Sequence, residues 1–171
     1  SKEDLHNQIQ AVEAMLTDAQ NDMRVLLLHL RPTELENKTL QEGLQMILKE
    51  LTDKSNIRVV YKDMVKKVPK RIEDNLFRIA QEFISNTLKH AKASQIEVYL
   101  YQNSQEIQLK MLDNGVGFDL NASTDEMSYG LKNIQERVDE MAGTVQFLSA
   151  KGKGTSIDVR VPILRGEDNV E

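Results

Sequence analysis

The stretch PKRIEDNLFRIAQEFISNTLKHAKASQIEVYLYQNSQEIQLKMLDNG, residues 69–115, changes its hydrophobic period once, and that change decides the fold. Pro69 supplies the fixed φ of a helix start. After it, Ile72, Leu76, Ile79, Ala80, Phe83 and Thr87 recur at steps of three and four, which predicts one continuous core-facing stripe of a long helix. The pattern then alternates strictly from Gln95 to Tyr101 and again from Glu106 to Leu112. Alternation marks half-buried strands, and the intervening Gln-Asn-Ser has hairpin length and turn composition, so the two strands are antiparallel neighbours.

The same signals extend outward on both sides. Thr39 is placed to cap a helix whose face is Leu40, Leu44, Ile47, Leu48 and Leu51, ending before Ser55 and Asn56, and a β-branched strand follows from Ile57 to Tyr61. Downstream, a helix is predicted from about Gly130 to Met141, ended by Ala142 and Gly143. Two last strands, Thr144 to Ser149 and Thr155 to Val161, are joined by a Lys-Gly-Lys-Gly turn. Strands grouped between helices with a hairpin at the centre indicate an α+β fold of two layers, a mixed sheet of about five strands with helices on one face. The polar tail from Arg165 is expected to be disordered.

The N-terminal region follows another rule. Leu5, Ile9, Val12, Leu16, Ala19, Met23, Leu26 and Leu30 alternate steps of four and three, a heptad seam narrower than the face a helix lays on a globular core. Such a stripe calls for a second helix, and this chain offers no partner strip for it, so self-association through this helix is expected. Pro32 disfavours helical geometry at Arg31, which sets the boundary. The expected organisation is a long helix over 1–31, a globular domain over 32–164 and a tail over 165–171.

Composition narrows the function classes. The 22 basic and 27 acidic residues give a net charge of −5, without the basic excess that a phosphate-tracking nucleic-acid binder needs. With no cysteine, thiolate metal sites and disulfides are excluded. No window has the roughly 20 apolar residues of a membrane span, and no membrane contact by these residues is expected.

Four short motifs carry chemistry. Glu82, Asn86 and His90 recur every four residues beside Lys89, so a carboxylate, an amide, an imidazole and a cation are expected to share a stripe flanking the apolar face. Carboxylate and amide oxygens are hard donors of the kind Mg²⁺ accepts when substrate phosphates complete its octahedron, and Lys89 can neutralise phosphate charge. A solvated helix flank is the plainer reading of the same residues. In Leu112-Asp113-Asn114-Gly115-Val116-Gly117-Phe118, two glycines directly after a strand let the backbone bend sharply and approach a flat ligand. Asp113 at the strand end can accept from an exocyclic amine such as that of adenine. Ser128-Tyr129-Gly130-Leu131 is placed to open the next helix, with free N–H groups directed at an anion. Gly152-Lys153-Gly154-Thr155 is by itself a hairpin turn.

Taken in order, these four motifs resemble the N, G1, G2 and terminal Gly-Thr boxes of the GHKL ATPases, on the expected helix, strand and loop elements. Within that superfamily the spelling is similar to the sensor histidine kinases of the LiaS/VraS kind, whose partners are NarL-type response regulators and which respond to cell-envelope stress. Asn21 through Pro32 resembles the end of their second dimerization helix. The resemblance implies a Bergerat-type α/β sandwich that binds ATP and Mg²⁺. It implies that Asn86 holds Mg²⁺, Asp113 recognises adenine, and Gly115 and Gly117 let the loop turn beneath the base. Lys89 and His90 would approach the phosphates, Gly130 and Leu131 would lie by the polyphosphate, and Thr155 would support Asp113. It implies a catalytic role for Glu82 and Asn86: Glu82 would match the carboxylate that activates water in ATP-hydrolysing relatives, whereas in kinases the attacking atom is a histidine nitrogen and needs a different base.

In that family the phosphorylated histidine lies on the first dimerization helix, followed by an acid and preceded by an arginine-rich turn. His6 is followed by Asn7 and stands too close to Arg31 for a hairpin to intervene, and His29 reads as a bundle residue. The expectation is a cytoplasmic piece of a membrane-anchored kinase that binds ATP but does not complete phosphoryl transfer alone. The alternatives are a serine kinase and binding module of the anti-sigma-factor type, against which the heptad helix speaks, and a coiled-coil scaffold without nucleotide.

Overall fold

A computed structural model describes residues 1–29, 37–122, 125–164 and 166, without the side chains of 21 and 24–29. The elements run α1 (Lys2–His29), α2 (Leu40–Lys54), β1 (Arg58–Met64), α3 (Lys70–Asn86), a π segment (Thr87–Ala91), β2 (Gln95–Gln102) and β3 (Glu106–Asp113). A short 3₁₀ turn (Leu120–Ala122), α4 (Asp125–Glu140), β4 (Thr144–Ser149) and β5 (Thr155–Pro162) complete the order. The five strands form one sheet in the order β1-β2-β3-β5-β4, with β1 and β2 parallel and the other pairs antiparallel. This is the α+β two-layer arrangement expected from the sequence.

The layers close over a single core. Ile96, Val98, Leu100, Ile107, Leu109, Met111, Ile157, Val159 and Val161 are the inward residues of three adjacent strands, and all are buried. Against them lie Leu44, Leu48 and Leu51 of α2, Ile72, Leu76, Ile79 and Phe83 of α3, and Ile134 and Val138 of α4. Fully burying one such aliphatic side chain is worth about 1.5–3 kcal/mol, so the alternating and helical stripes fix which face of each element turns inward. Local signals agree with this. Thr39 Oγ1 accepts from the Glu42 amide while Glu42 Oε2 accepts from the Thr39 amide, a reciprocal capping box that sets where α2 begins.

Two expectations are corrected. The first strand begins at Arg58 and runs on to Met64 rather than ending at Tyr61, because its parallel pairing with β2 persists to Tyr101. The last helix begins at Asp125, not at Gly130, with Asp125 and Glu126 in its first turn, where carboxylates face the positive end of the helix dipole. Ser128 to Leu131 are therefore inside α4 and do not present a helix N-terminus. At its other end α4 stops at Glu140, and Ala142, in the left-handed region at φ 55°, and Gly143 follow it as expected.

Helix α1 lies close to α3 and the π segment, yet its seam stays in solvent. Leu5, Ile9, Val12, Leu16 and Met23 are each at least half exposed. Leu26 is outside the described side chains, and Leu30, the expected boundary at Arg31 and Arg165 with residues 167–171 of the tail are outside the described residues. Among the described residues, no helix is long and apolar enough to cross a membrane.

Candidate functional site

Asp113 stands at the end of β3, buried at 8% exposure. Its Oδ1 accepts from the Gly115 amide at 2.8 Å, and its Oδ2 lies 3.1 Å from Thr87 Oγ1. The backbone amide of Thr155, its pairing partner on β5, also donates to it. Burial nevertheless raises the Asp113 pKa above its ordinary value, and the three donors only partly offset this. The carboxylate retains lone pairs toward a slot lined by Phe83, Asn86, His90, Phe118, Met127, Leu131, Ile134, Thr155 and Ile157, with Gly117 at its edge and a cavity volume of about 90 Å³. A largely apolar-walled slot with one buried carboxylate in its lining suits an aromatic ring carrying an amine.

Main-chain contacts hold the slot in shape. The Val116 amide donates to Ala91 O at 2.7 Å, and the Gly152 amide to Val116 O at 2.6 Å, so the loop after β3 is tied to the π segment on one side and the β4–β5 turn on the other. Gly154, at φ +72°, passes so near the end of β3 that a Cβ there would meet Asp113 O at 2.1 Å. Gly117, at φ +61°, is pressed against Ala150 O in the same way. Both positions combine a left-handed backbone with a backbone neighbour, which only glycine tolerates. Ser149 Oγ joins the two loops, accepting from the Phe118 amide at 2.9 Å and lying 2.9 Å from Thr155 Oγ1.

A second, polar chamber adjoins the slot and shares Asn86 and Ile134 with it. Its walls include Glu82, Lys89, Glu126, Tyr129, Asn133, Arg78 and Arg137. Gly130 is packed against its α3 wall: a Cβ on Gly130 would lie 2.5 Å from Glu82 Oε1 and 3.1 Å from Asn86 Nδ2. The absence of a side chain there is what lets α4 approach α3 at the level of those two residues. Arg78 donates to Gln81 Oε1 at 3.0 Å and Arg137 to Asn75 Oδ1 at 3.1 Å, so each guanidinium is held by a neutral amide.

The four-residue stripe expected on α3 does not stay together. At Thr87 the helix widens into a π turn that runs to Ala91 and ends at Lys92 in the left-handed region. A π turn advances fewer degrees per residue than an α turn, so residues after it face a different direction. Lys89 consequently joins Glu82 and Asn86 in the polar chamber, whereas His90 lines the slot. Leu131 lies in the wall of the slot, and Gly130 lies against Glu82 and Asn86. The slot walls Met127, Ile134 and Ile157 and the chamber residues Arg78, Glu126 and Arg137 were not singled out from sequence. Thr87, expected in the core, is buried there, and its hydroxyl in addition reaches Asp113.

Residues 71–165 match the family model described as "Histidine kinase-, DNA gyrase B-, and HSP90-like ATPase". The chain belongs to this ATPase family. As a member of it, the domain is similar to curated sensor kinases over nearly its whole length. It is 42% identical over 170 residues to the sensor protein VraS of Staphylococcus saprophyticus, covering 99% of this chain and 49% of that one. To the sensor histidine kinase LiaS of Bacillus subtilis it is 44% identical, covering 93% of this chain and 44% of that one. The chain thus spans about half the length of the curated relatives it matches. By sequence it is an ATP-binding catalytic domain of the sensor histidine kinase type. Among solved structures, the histidine kinase domain of the blue-light activated kinase EL346 from Erythrobacter litoralis shares the fold at a TM-score of 0.60 and 16% identity, covering 94% of this chain and 83% of that one. The mycobacterial sensor histidine kinase MprB does so at 0.52 and 16%, covering 72% and 92%.

Proposed function

We propose that this domain positions Mg·ATP for transfer of its γ-phosphoryl group to a histidine outside residues 1–171, in a dimeric, membrane-anchored sensor kinase that answers cell-envelope stress from the cytoplasm. The observation that carries the reading is the junction at Asn86. This residue borders both the slot that ends at buried Asp113 and the polar chamber that holds Lys89 and Glu82. An adenine nucleotide has the same division, a flat ring carrying an amine at one end and a polyanion at the other.

In this reading Asp113 accepts from the adenine amine, and Thr155 and Thr87 keep its carboxylate oriented. Gly115 and Gly117 bring the loop backbone beneath the ring, and Leu131 covers its apolar side. Lys89 and His90 meet the polyphosphate. Gly130 leaves room beside Asn86, whose amide oxygen would be a protein ligand to Mg²⁺, with the phosphates supplying others. The bound ion would supply charge neutralisation on the transferring group. Glu82 lies next to Asn86 and is placed to orient the attacking group or take up a proton. There is little covalent chemistry for the protein to perform, so its contribution is positioning and charge.

The downstream partner is a NarL-type response regulator, supported by the likeness to LiaS and VraS. Dimerization through α1 is supported by its exposed seam, which a soluble chain rarely leaves uncovered. Labelled ATP with this chain alone should give no phosphohistidine, and addition of a polypeptide carrying the family's acceptor helix should give an acid-labile label on that helix. Labelling of His6, or no transfer to an acceptor helix that demonstrably pairs with α1, would contradict the reading.

A further inference from the structure

Lys89, the cation placed to meet a polyphosphate, is already engaged. Its Nζ donates to Glu126 Oε1 at 2.8 Å, and the other oxygen of the same carboxylate lies 3.9 Å from His90 Nε2. Lys89 and His90 belong to the π segment, whereas Glu126 comes from the first turn of α4, so one carboxylate ties the π segment to α4 beside the chamber. A carboxylate and a phosphate oxygen make the same charge-assisted hydrogen bond to an ammonium group. His90 Nε2 is buried and has no hydrogen-bond partner among the described residues, which leaves the imidazole with a position for a ligand that approaches closer than Glu126 does. The Glu126 side chain is itself 59% exposed and can turn out to water without opening the core.

We propose that Glu126 is a built-in occupant of the phosphate subsite, holding Lys89 until the polyphosphate of an incoming nucleotide displaces it. The proposal rests on the ATP-site reading and adds a determinant of ligand choice to it. Adenosine ends before the chamber and leaves the Glu126–Lys89 pair in place. A nucleoside triphosphate must break that pair and also meets the repulsion of the carboxylate. Glu126 therefore lowers the advantage that ATP holds over adenosine, and it does so more strongly at low salt, where charges this exposed are least screened.

The test is calorimetric titration of the whole chain with a non-hydrolysable ATP analogue and with adenosine, using wild type, Glu126→Gln and Glu126→Ala. An exposed pair of this kind supports a modest change, so the analogue should bind about two- to fivefold tighter to both variants while adenosine affinity stays the same. An analogue affinity that is unchanged or weaker, or an equal gain for adenosine, would overturn the proposal. If wild type and both variants bind neither ligand, the ATP-site reading has failed, and the role of Glu126 falls with it.

Discussion

The two ends of the proposed nucleotide site are built by different physics. The end proposed for adenine is apolar-walled and fixed by main chain: Asp113 is buried, its loop is tied to Ala91 and Gly152, and Gly117 and Gly154 sit in left-handed conformations against neighbouring carbonyls. The phosphate end is open and made of side chains, with Lys89 held by an exposed carboxylate and Arg78 and Arg137 resting on amides. A rigid end selects by shape and by one buried acceptor, whereas an open end adjusts to charge and to an arriving partner. Substitutions should therefore act all-or-none at the first end and by degrees at the second.

The largest effect is expected at Asp113. Asp113→Asn should lower affinity for an ATP analogue by about 10- to 100-fold, the worth of a charge-assisted hydrogen bond, when measured by calorimetry. The fold should not suffer, since the new amide oxygen can still accept from Gly115 and its NH₂ can donate to Thr87. The pKa shift gives the sign independently. With a folded value raised above 3.8 by burial, the contribution of Asp113 to stability is fully present below that ordinary value and is lost as the pH climbs through the raised one. At neutral pH its ionised form thus costs stability, and thermal melts of Asp113→Asn should show a midpoint equal to or above wild type.

Next in size is the turn beside it. Gly154→Ala should cost about 1–3 kcal/mol and weaken nucleotide binding, because the added carbon overlaps Asp113 O. Gly152→Ala is the control, with φ +78° but nothing within 4 Å of the added carbon, so it should lose only the left-handed penalty of about 1–2 kcal/mol and keep its affinity. Equal losses of binding in the two variants would break the distinction between the ends. At the phosphate end, Asn86→Ala should remove most of the strengthening that Mg²⁺ gives, about tenfold or less, and leave metal-free adenosine binding nearly intact. The pH dependence of the wild type checks the same carboxylate without a substitution. Affinity should fall on acidification as Asp113 takes up a proton, at a pH above 3.8, and the fall should be absent in Asp113→Asn.

The same contrast explains what could be read from the sequence. The layers, the central antiparallel hairpin and the start of α2 were legible because burial enforces a period and Thr39 carries its own signal. The Asp113 loop was legible because close backbone approach demands glycine. The π turn was not, since apolar residues on both sides of Thr87 keep a helical spacing whichever hydrogen-bond ladder they use, and so the separation of His90 from Lys89 was missed. Glu126 went unnoticed because its role appears only when α4 is packed against the π segment, although an acid in a first turn was a usable sign that the helix began early. Met127, Ile134 and Ile157 serve core and slot alike, and sequence period cannot distinguish the two.

The most direct test of the central claim, that Asp113 reads an adenine amine, is a side-by-side titration of ATP and GTP. GTP carries a carbonyl where ATP carries that amine, so its oxygen would face the buried carboxylate. The account predicts ATP binding at least about tenfold tighter than GTP in the wild type, with the preference lost in Asp113→Asn. Equal affinity for the two nucleotides in the wild type would contradict it.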